Sequence, residues 1–232
     1  MLSLLLDCLI PNQCIICHTP HPQALCNTCL KDIPLRYSLS ISQKSKHLPL
    51  FNSTASGIQD LRFHSNPYLT SVLAITPFQA PQIKTPIHYL KYKNCRCLAQ
   101  PLSKILTQAL GHTTPKTPRV ITPIPLHPQR YRFRGYNQSY LLAQQISQDL
   151  SLPLYTNIER IKNNPPQMEI TSISDRVQNT KGIFQAPPKP IDTSSTCLLI
   201  DDVTTTLSTL SDAAKTLQKA GFKDIHGLVL AR

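Results

Sequence analysis

From about residue 67 onward, short apolar runs alternate with amphipathic segments, and this alternation limits the possible folds more than any other feature of the chain. The apolar runs predict buried strands, whereas the segments between them carry apolar residues at helical spacing. The predicted strands are 72–77, 119–126, 195–200 and 225–230, and the predicted helical segments are 86–110, 138–150 and 208–220. Strands and helices in this order form a mainly parallel sheet covered on both faces. We therefore expect an α/β domain over 67–232.

Four of the eight cysteines form two Cys-x-x-Cys pairs with eight residues between the pairs. These cysteines are Cys14, Cys17, Cys26 and Cys29. Each pair directs two thiolates at one ion, and two pairs complete the tetrahedron that zinc prefers. Four thiolate ligands leave no position for water, so we expect a structural zinc rather than a catalytic one. The alternatives are two disulfides, plain buried thiols, or a site in which His18 or His21 replaces one thiolate.

The chain divides into three parts by composition. Residues 1–35 are too few to bury a core, so we expect a zinc-knuckle module that the metal stabilises. Residues 36–66 are polar and rich in serine, which predicts a connecting segment of strands or ordered linker. The first residues have no basic region, no signal-peptide cleavage site and no run long enough to cross a membrane. We expect a short amphipathic helix there, no membrane insertion and a cytoplasmic location.

The glycines exclude two common phosphate-binding motifs. The chain has only six glycines, and no two of them lie within four residues of each other. A dinucleotide-binding fingerprint and a Walker A loop both need closely spaced glycines. Any phosphate site in this chain must therefore be built in another way.

Such a site is predicted where the strand 195–200 ends in Asp201 and Asp202, before a hydroxyl-rich turn and a helix. Ligands of parallel sheets bind beyond the carboxyl ends of the strands, and a helix N-terminus offers N–H groups to an anion. The two carboxylates can accept hydrogen bonds from sugar hydroxyls or hold Mg²⁺ through its waters. We expect a ribose with a 5-phosphate here, and a simple helix cap is the alternative. The turn and helix residues are Thr204, Thr205, Thr206, Ser208 and Thr209.

Basic residues are concentrated in the middle of the chain, where 61–148 holds 11 Lys or Arg and no Asp or Glu. Arginine grips phosphates with two hydrogen bonds, and aromatic rings stack on unpaired bases. Such a stretch predicts a surface for a polyanion. The alternative is a solvated basic loop or a generally basic surface. The candidate nucleic-acid-binding residues are Lys91, Lys93, Arg96, Arg130, Tyr131, Arg132, Phe133, Arg134 and Tyr136.

The chain resembles the ComF family of competence-associated proteins, which joins a zinc knuckle to a phosphoribosyltransferase-like domain. The resemblance rests on the four cysteines, on the acidic strand end and on a series of short motifs between them. These motifs are Leu90-Lys-Tyr92, Pro123-Ile-Pro-Leu126, Arg134-Gly-Tyr-Asn-Gln138, Pro165-Pro-Gln167, Arg176-Val-Gln-Asn179 and Lys181-Gly-Ile-Phe184.

The resemblance implies a type I phosphoribosyltransferase-like fold that binds phosphoribosyl pyrophosphate and, as a DNA-handling protein of natural transformation, single-stranded DNA. Asp201 and Asp202 would hold the ribose, 204–209 the 5-phosphate, and Lys91 and Arg134 the pyrophosphate. An active Mg²⁺-dependent phosphoribosyltransferase with an unknown acceptor is one alternative. A zinc-stabilised scaffold that recruits a competence helicase is another.

The chain departs from the family pattern at one position of the phosphate loop. Leu207 stands where the family usually has glycine, which allows the backbone to approach a phosphate closely. We therefore expect Leu207 to narrow or deform the phosphate cradle and to weaken phosphate binding and, to a greater extent, catalysis.

Overall fold

The computed structural model describes residues 13–35, 38–41, 59–60, 67–110, 118–163, 182–187 and 196–232. The expected N-terminal helix and the motifs at 165–167 and 176–181 lie outside these residues. The strands are β1 (Ser38–Ile41), β2 (Gln59–Asp60), β3 (Ser71–Thr76), β4 (Val120–Pro123), β5 (Glu159–Arg160), β6 (Phe184–Gln185), β7 (Thr196–Val203) and β8 (Asp224–Ala231). The helices are α1 (Asn27–Lys31), α2 (Pro81–Tyr92), α3 (Ala99–Leu110), α4 (Pro128–Arg134), α5 (Gln138–Leu150) and α6 (Ser208–Lys219).

Six strands form one mixed sheet in the order β2-β1-β3-β8-β7-β4. The four strands from β3 to β4 in this order are parallel, and β1 pairs antiparallel with β3. Leu228 lies between Leu73 and Ile200 in the register, so the three central strands are aligned. This sheet confirms the expected mainly parallel α/β fold. It also places the carboxyl ends of β4, β7 and β8 at one edge.

Helices cover both faces of the sheet. Alternate strand residues point to opposite faces, so Leu198 and Ile200 pack with the buried residues of α2, α3 and α5. Leu199 faces the other way and packs with the buried residues of α6. Leu25, from the cysteine-rich segment, belongs to the same apolar cluster as α2 and α3. The cysteine-rich segment therefore shares buried surface with the α/β domain.

The predicted helical segment 86–110 belongs to two helices, the first of which begins at Pro81, and a short 3₁₀ turn at Arg96–Leu98 joins them. Lys93 leaves the helical region with φ −115° and ψ 17°, and Asn94 has a φ of 52°. A left-handed residue cannot continue a right-handed α-helix, so α2 ends there. None of the described helices combines the length and the apolarity that a membrane span requires.

The basic segment after β4 is a helix, α4, rather than a basic loop. Pro128 occupies the first helical position, and the ring of His127 accepts a hydrogen bond from the Gln129 N–H at 3.3 Å. Gly135 ends the helix with a φ of 80°, a conformation that glycine adopts without strain. Proline at the start and glycine at the end are ordinary helix signals, but the segment between them has no apolar face to indicate a helix.

Candidate functional site

A cavity of about 550 Å³ lies at the carboxyl end of β7. We call it the carboxylate cavity, because Asp201 and Asp202 line it. The loop after β7 and the start of α6 form one part of its wall, and α4, the start of α5 and Lys91 form the rest. It brings together every residue that the sequence analysis assigned to the ribose-phosphate site, namely Lys91, Arg134, Asp201, Asp202, Thr204, Thr205, Thr206, Ser208 and Thr209.

The two carboxylates are buried within the last residues of strand β7 rather than beyond its end, since β7 continues to Val203. Asp201 is 8% exposed and Asp202 is 2% exposed. The Asp201 Oδ1 accepts hydrogen bonds from the Ser139 hydroxyl at 2.7 Å and from the Asp202 N–H at 2.9 Å. The Asp202 Oδ2 lies 2.6 Å from the Lys91 Nζ. Each carboxylate is therefore held in place by a partner from a helix.

Burial changes the proton affinity of this cluster. Burial and, after it, the charge of Asp202 raise the pKa of Asp201 to about 7, against the opposing effects of Ser139 and Lys91. Burial is the largest single effect and would lower the pKa of Lys91, but the charge and hydrogen bond of Asp202 together with the charge of Asp201 hold that pKa above its ordinary value. Lys91 is thus charged at neutral pH, whereas Asp201 gains and loses a proton there.

Leu207 adopts the left-handed conformation that the family's glycine would adopt freely. Its φ is 60° and its ψ is 0°, and it stands immediately before α6 without a side-chain cap. This conformation costs a non-glycine residue about 1–2 kcal/mol. The Leu207 side chain is 6% exposed and packs in the apolar cluster of α6, which offsets that cost. The first turn of α6 faces the cavity, and its N–H groups have no partner within the helix.

The segment 134–138 connects the elements around the cavity. The Arg134 guanidinium donates to the Gln138 side chain, and the Tyr136 hydroxyl donates to the Leu90 carbonyl at the end of α2. Asn137 caps α5 by accepting from the Ser139 N–H at 3.0 Å, and its amide donates to Ile124 beyond β4. The Gln138 amide donates to the Asp202 Oδ1 at 3.4 Å. One short motif therefore ties α2, β4 and α5 to the carboxylates.

The candidate nucleic-acid-binding residues fall into different surroundings. Arg130, Phe133 and Arg134 line the carboxylate cavity with Lys91, and Phe133 is 89% exposed. Lys93, Tyr131 and Arg132 are also exposed. Tyr136 differs from the expected stacking platform, because it is 4% exposed and the Arg96 guanidinium lies 4.6 Å from its ring centroid. In this conformation the Tyr136 ring offers no face to a base.

The structure adds Arg160 to the cavity, which sequence reasoning missed. Arg160 lies on the two-residue strand β5, which pairs with β6 and is too short to show periodicity. Burial and the nearby charge of Arg130 lower the pKa of Arg160 to about 10. Two guanidinium groups thus lie close together at a cavity that also holds Asp201, so its wall is suited to a ligand with both anionic and hydroxyl groups.

The four predicted cysteine ligands lie together, and their sulfur atoms are all within 4.8 Å of one another. The Cys17 and Cys26 sulfurs are 3.8 Å apart. A tetrahedral site with metal–sulfur bonds of about 2.3 Å has sulfur–sulfur edges of about 3.8 Å, so this donor set fits one ion. All seven cysteines of the described ranges are free thiols, which excludes the disulfide alternative for these four. The His21 ring accepts from the Gln23 N–H at 3.0 Å, away from the cluster.

The raised pKa of Asp201 predicts that the stability of the folded protein depends on pH. The folded state keeps a proton on Asp201 up to about pH 7, whereas the unfolded chain releases it near the ordinary value of 3.8. Stability therefore falls as the pH rises between these two values. We expect Asp201→Asn to raise the unfolding temperature at pH 8 and to change it little near pH 4, measured by differential scanning calorimetry.

Asp149→Asn is the matched control, because Asp149 is an exposed carboxylate on α5. It should show no such pH-dependent difference. A loss of stability for Asp201→Asn that is equal at both pH values would show that Asp201 is not held in a desolvated site.

Comparison with known proteins identifies relatives of this chain, although no family model matches it. The chain is 37% identical to competence protein F of Haemophilus influenzae over 152 residues, 63% of this chain and 66% of that protein. The aligned region is thus just under two thirds of the H. influenzae protein. This chain is also 30% identical to DNA utilization protein YhgH of Escherichia coli O157:H7 over 158 residues, 66% of this chain and 68% of the E. coli protein.

A more distant relative aligns over almost the full length. DNA utilization protein YhgH of Salmonella typhimurium is 25% identical over 233 residues, 96% of this chain and 98% of that protein. A solved structure of glutamine phosphoribosylpyrophosphate amidotransferase from B. subtilis superposes with a TM-score of 0.41 and 14% identity, over 62% of this chain and 30% of that one. On the sequence relationships and the four-cysteine cluster, the chain belongs to the ComF family of competence and DNA utilization proteins.

Proposed function

We propose that this protein handles single-stranded DNA in natural transformation and binds phosphoribosyl pyrophosphate in the carboxylate cavity. The observation that carries the proposal is the position of α4, which places Arg130 and Arg134 on the cavity wall and exposes Phe133 beside them. The names of the relatives, competence protein F and DNA utilization protein, support a role with DNA. The cytoplasmic location and a helicase partner stay predictions of the sequence and the family resemblance.

The chemistry of α4 suits a single strand. Arg130 and Arg134 lie on one side of α4 and Arg132 lies on another, and each guanidinium fork can match a phosphate with two hydrogen bonds. Phe133 and Tyr131 present rings to solvent, and base stacking on such rings does not depend on sequence. The segment 61–148 adds eight further basic residues and no acid, so its field attracts a polyanion.

The carboxylate cavity suits a phosphorylated sugar. The first turn of α6 would hold the 5-phosphate through its N–H groups, and Asp201 and Asp202 would accept hydrogen bonds from the ribose hydroxyls. Lys91 and Arg134 would hold the pyrophosphate. Asp201 and Asp202 would hold Mg²⁺ through its waters, and the ion would offset the charge of the pyrophosphate. Lys91 is paired with Asp202 in this structure. When the ligand binds, the Lys91 ammonium group would therefore have to contact both Asp202 and the pyrophosphate.

We assign the four-cysteine cluster to a structural zinc ion. Three of the four cysteines are buried, and the donor set has no oxygen ligand and no position for water. The cluster lies against Leu25 and Ile33, which pack into the domain core, so metal binding would hold this segment on the domain. Its role is to stabilise, and it takes no part in the chemistry of the carboxylate cavity.

Salt dependence tests the DNA-binding surface. We expect the affinity for a thymidine oligonucleotide to fall steeply between about 50 and 200 mM salt, because each phosphate contact releases a counterion. Arg130→Gln/Arg132→Gln should reduce the slope of log K against log salt by about 1.4, at about 0.7 per contact on a single strand. Fluorescence anisotropy titrations at several salt concentrations measure both quantities.

Lys219→Gln/Lys223→Gln is the matched control. It removes the same charge at exposed positions near the start of β8, the opposite edge of the sheet from α4. We expect it to leave the slope nearly unchanged. An equal effect of the two double variants, or an affinity independent of salt, would contradict the proposed surface.

Metal content tests the zinc assignment. Elemental analysis of the purified protein should give one zinc per chain, and removal by a chelator should lower the unfolding temperature, because metal binding stabilises the folded segment. Cys17→Ser should lose the zinc, although Cys17 is exposed. Cys97→Ser, an exposed cysteine outside the cluster, should retain it. Full zinc content in Cys17→Ser, or no metal in the wild type, would refute the assignment.

A further inference from the structure

A second cavity of about 460 Å³ is present beside α4, and of the residues that line it the proposed function uses only Tyr131. We call it the tyrosine cavity, because Tyr131, Tyr136 and Tyr140 line it together with Arg96 and Thr156. Its volume lies within the range of small-molecule sites, about 300–1,000 Å³. The remaining wall is mainly apolar and contains Pro123 and Ile158.

Helix α4 separates the tyrosine cavity from the carboxylate cavity. Tyr131 and Gly135, four residues apart on one side of α4, line the tyrosine cavity. Arg130, Phe133 and Arg134 lie on the other side and line the carboxylate cavity. The segments just before and just after α4 contribute to both cavities, through Pro125, Leu126 and Asn137. A strand held by the α4 arginines therefore passes within reach of the tyrosine cavity.

Two contacts position Arg96 in the tyrosine cavity, and Gly135 leaves room for it. Its guanidinium lies 4.6 Å from the centroid of the buried Tyr136 ring, and its Nε donates to the Asn94 side chain at 3.3 Å. A side chain at position 135 would crowd it, since a Cβ on Gly135 would lie 3.3 Å from the Arg96 Nη2. A planar cation held in this way stacks on an aromatic ligand and repels a cationic one.

The tyrosine cavity is also lined by uncharged hydrogen-bonding groups. The hydroxyls of Tyr131, Tyr140 and Thr156 can each donate and accept, so they suit the mixed donors and acceptors on the edge of a nucleobase. No carboxylate lines the cavity within the described part of the chain, so nothing there repels the phosphate attached to such a base. An aromatic wall, one stacked guanidinium and neutral hydroxyls together match one unstacked base.

We propose that the tyrosine cavity takes one unstacked base of single-stranded DNA while the arginines of α4 hold the adjoining backbone. This inference rests on the proposed DNA-binding function and goes further, because it assigns the base to a cavity that is separate from the phosphoribosyl pyrophosphate site. The exposed ring of Tyr131 stacks on the base or closes over it, and Arg96 forms the inner wall.

The test compares a thymidine oligonucleotide with an abasic strand of the same length and charge. We expect the wild-type protein to prefer the thymidine strand by about tenfold or more, the order expected from one stacked base. Arg96→Met and Tyr131→Ala should each remove most of that preference. Arg132→Met is the matched control, because it removes one positive charge from α4 but lines neither cavity, and it should weaken both strands equally.

Each outcome separates this inference from the function on which it depends. Equal binding of both strands by the wild type, or an unchanged preference in Arg96→Met and Tyr131→Ala, overturns the base site but leaves DNA binding intact. No binding of either strand overturns the DNA function as well. Should Arg96→Met lose its fold, as judged by its circular dichroism, Arg96→Lys decides instead, because it keeps the positive charge but not the planar guanidinium that lies on the Tyr136 ring.

Discussion

The burial of two adjacent carboxylates at the end of β7 is the constraint on which the rest of the site depends. A buried carboxylate is costly unless it is paired or hydrogen-bonded, so each one needs a partner from outside its own strand. Ser139 on α5 supplies a partner for Asp201, and Lys91 on α2 supplies one for Asp202. The positions of α2 and α5 relative to the sheet are thereby linked to the carboxylates, and the carboxylate cavity forms where these elements meet.

Leu207 is a second residue near the site whose local conformation costs free energy. Its left-handed backbone is held because the side chain is packed in the apolar cluster of α6. The effect of Leu207 on phosphate binding stays a prediction. The sequence alone indicated only that leucine is an unusual residue there. Strain that is offset by packing is typical of sites whose shape matters for binding.

Much of the fold and part of the site could be predicted from the sequence. The apolar run before Asp201 and the helical spacing of 138–150 predicted β7 and α5, because burial makes periodicity visible. The helix α4 was missed, since it buries no side chain, and only Pro128 and Gly135 indicated it. The burial of Tyr136 and the role of Arg160 depend on contacts between distant segments, for which a single sequence carries no signal.

Calorimetric titration of the zinc-loaded protein with phosphoribosyl pyrophosphate and Mg²⁺ tests whether the buried carboxylates of β7 form a sugar-phosphate site. We expect saturable heat at micromolar ligand. We also expect an affinity lower by about tenfold or more in Asp201→Asn and in Asp201→Ala/Asp202→Ala, since a hydrogen bond to a charged group contributes about 1.5–3 kcal/mol. No heat at millimolar ligand from folded wild-type protein, or equal affinity in the variants, would contradict this assignment.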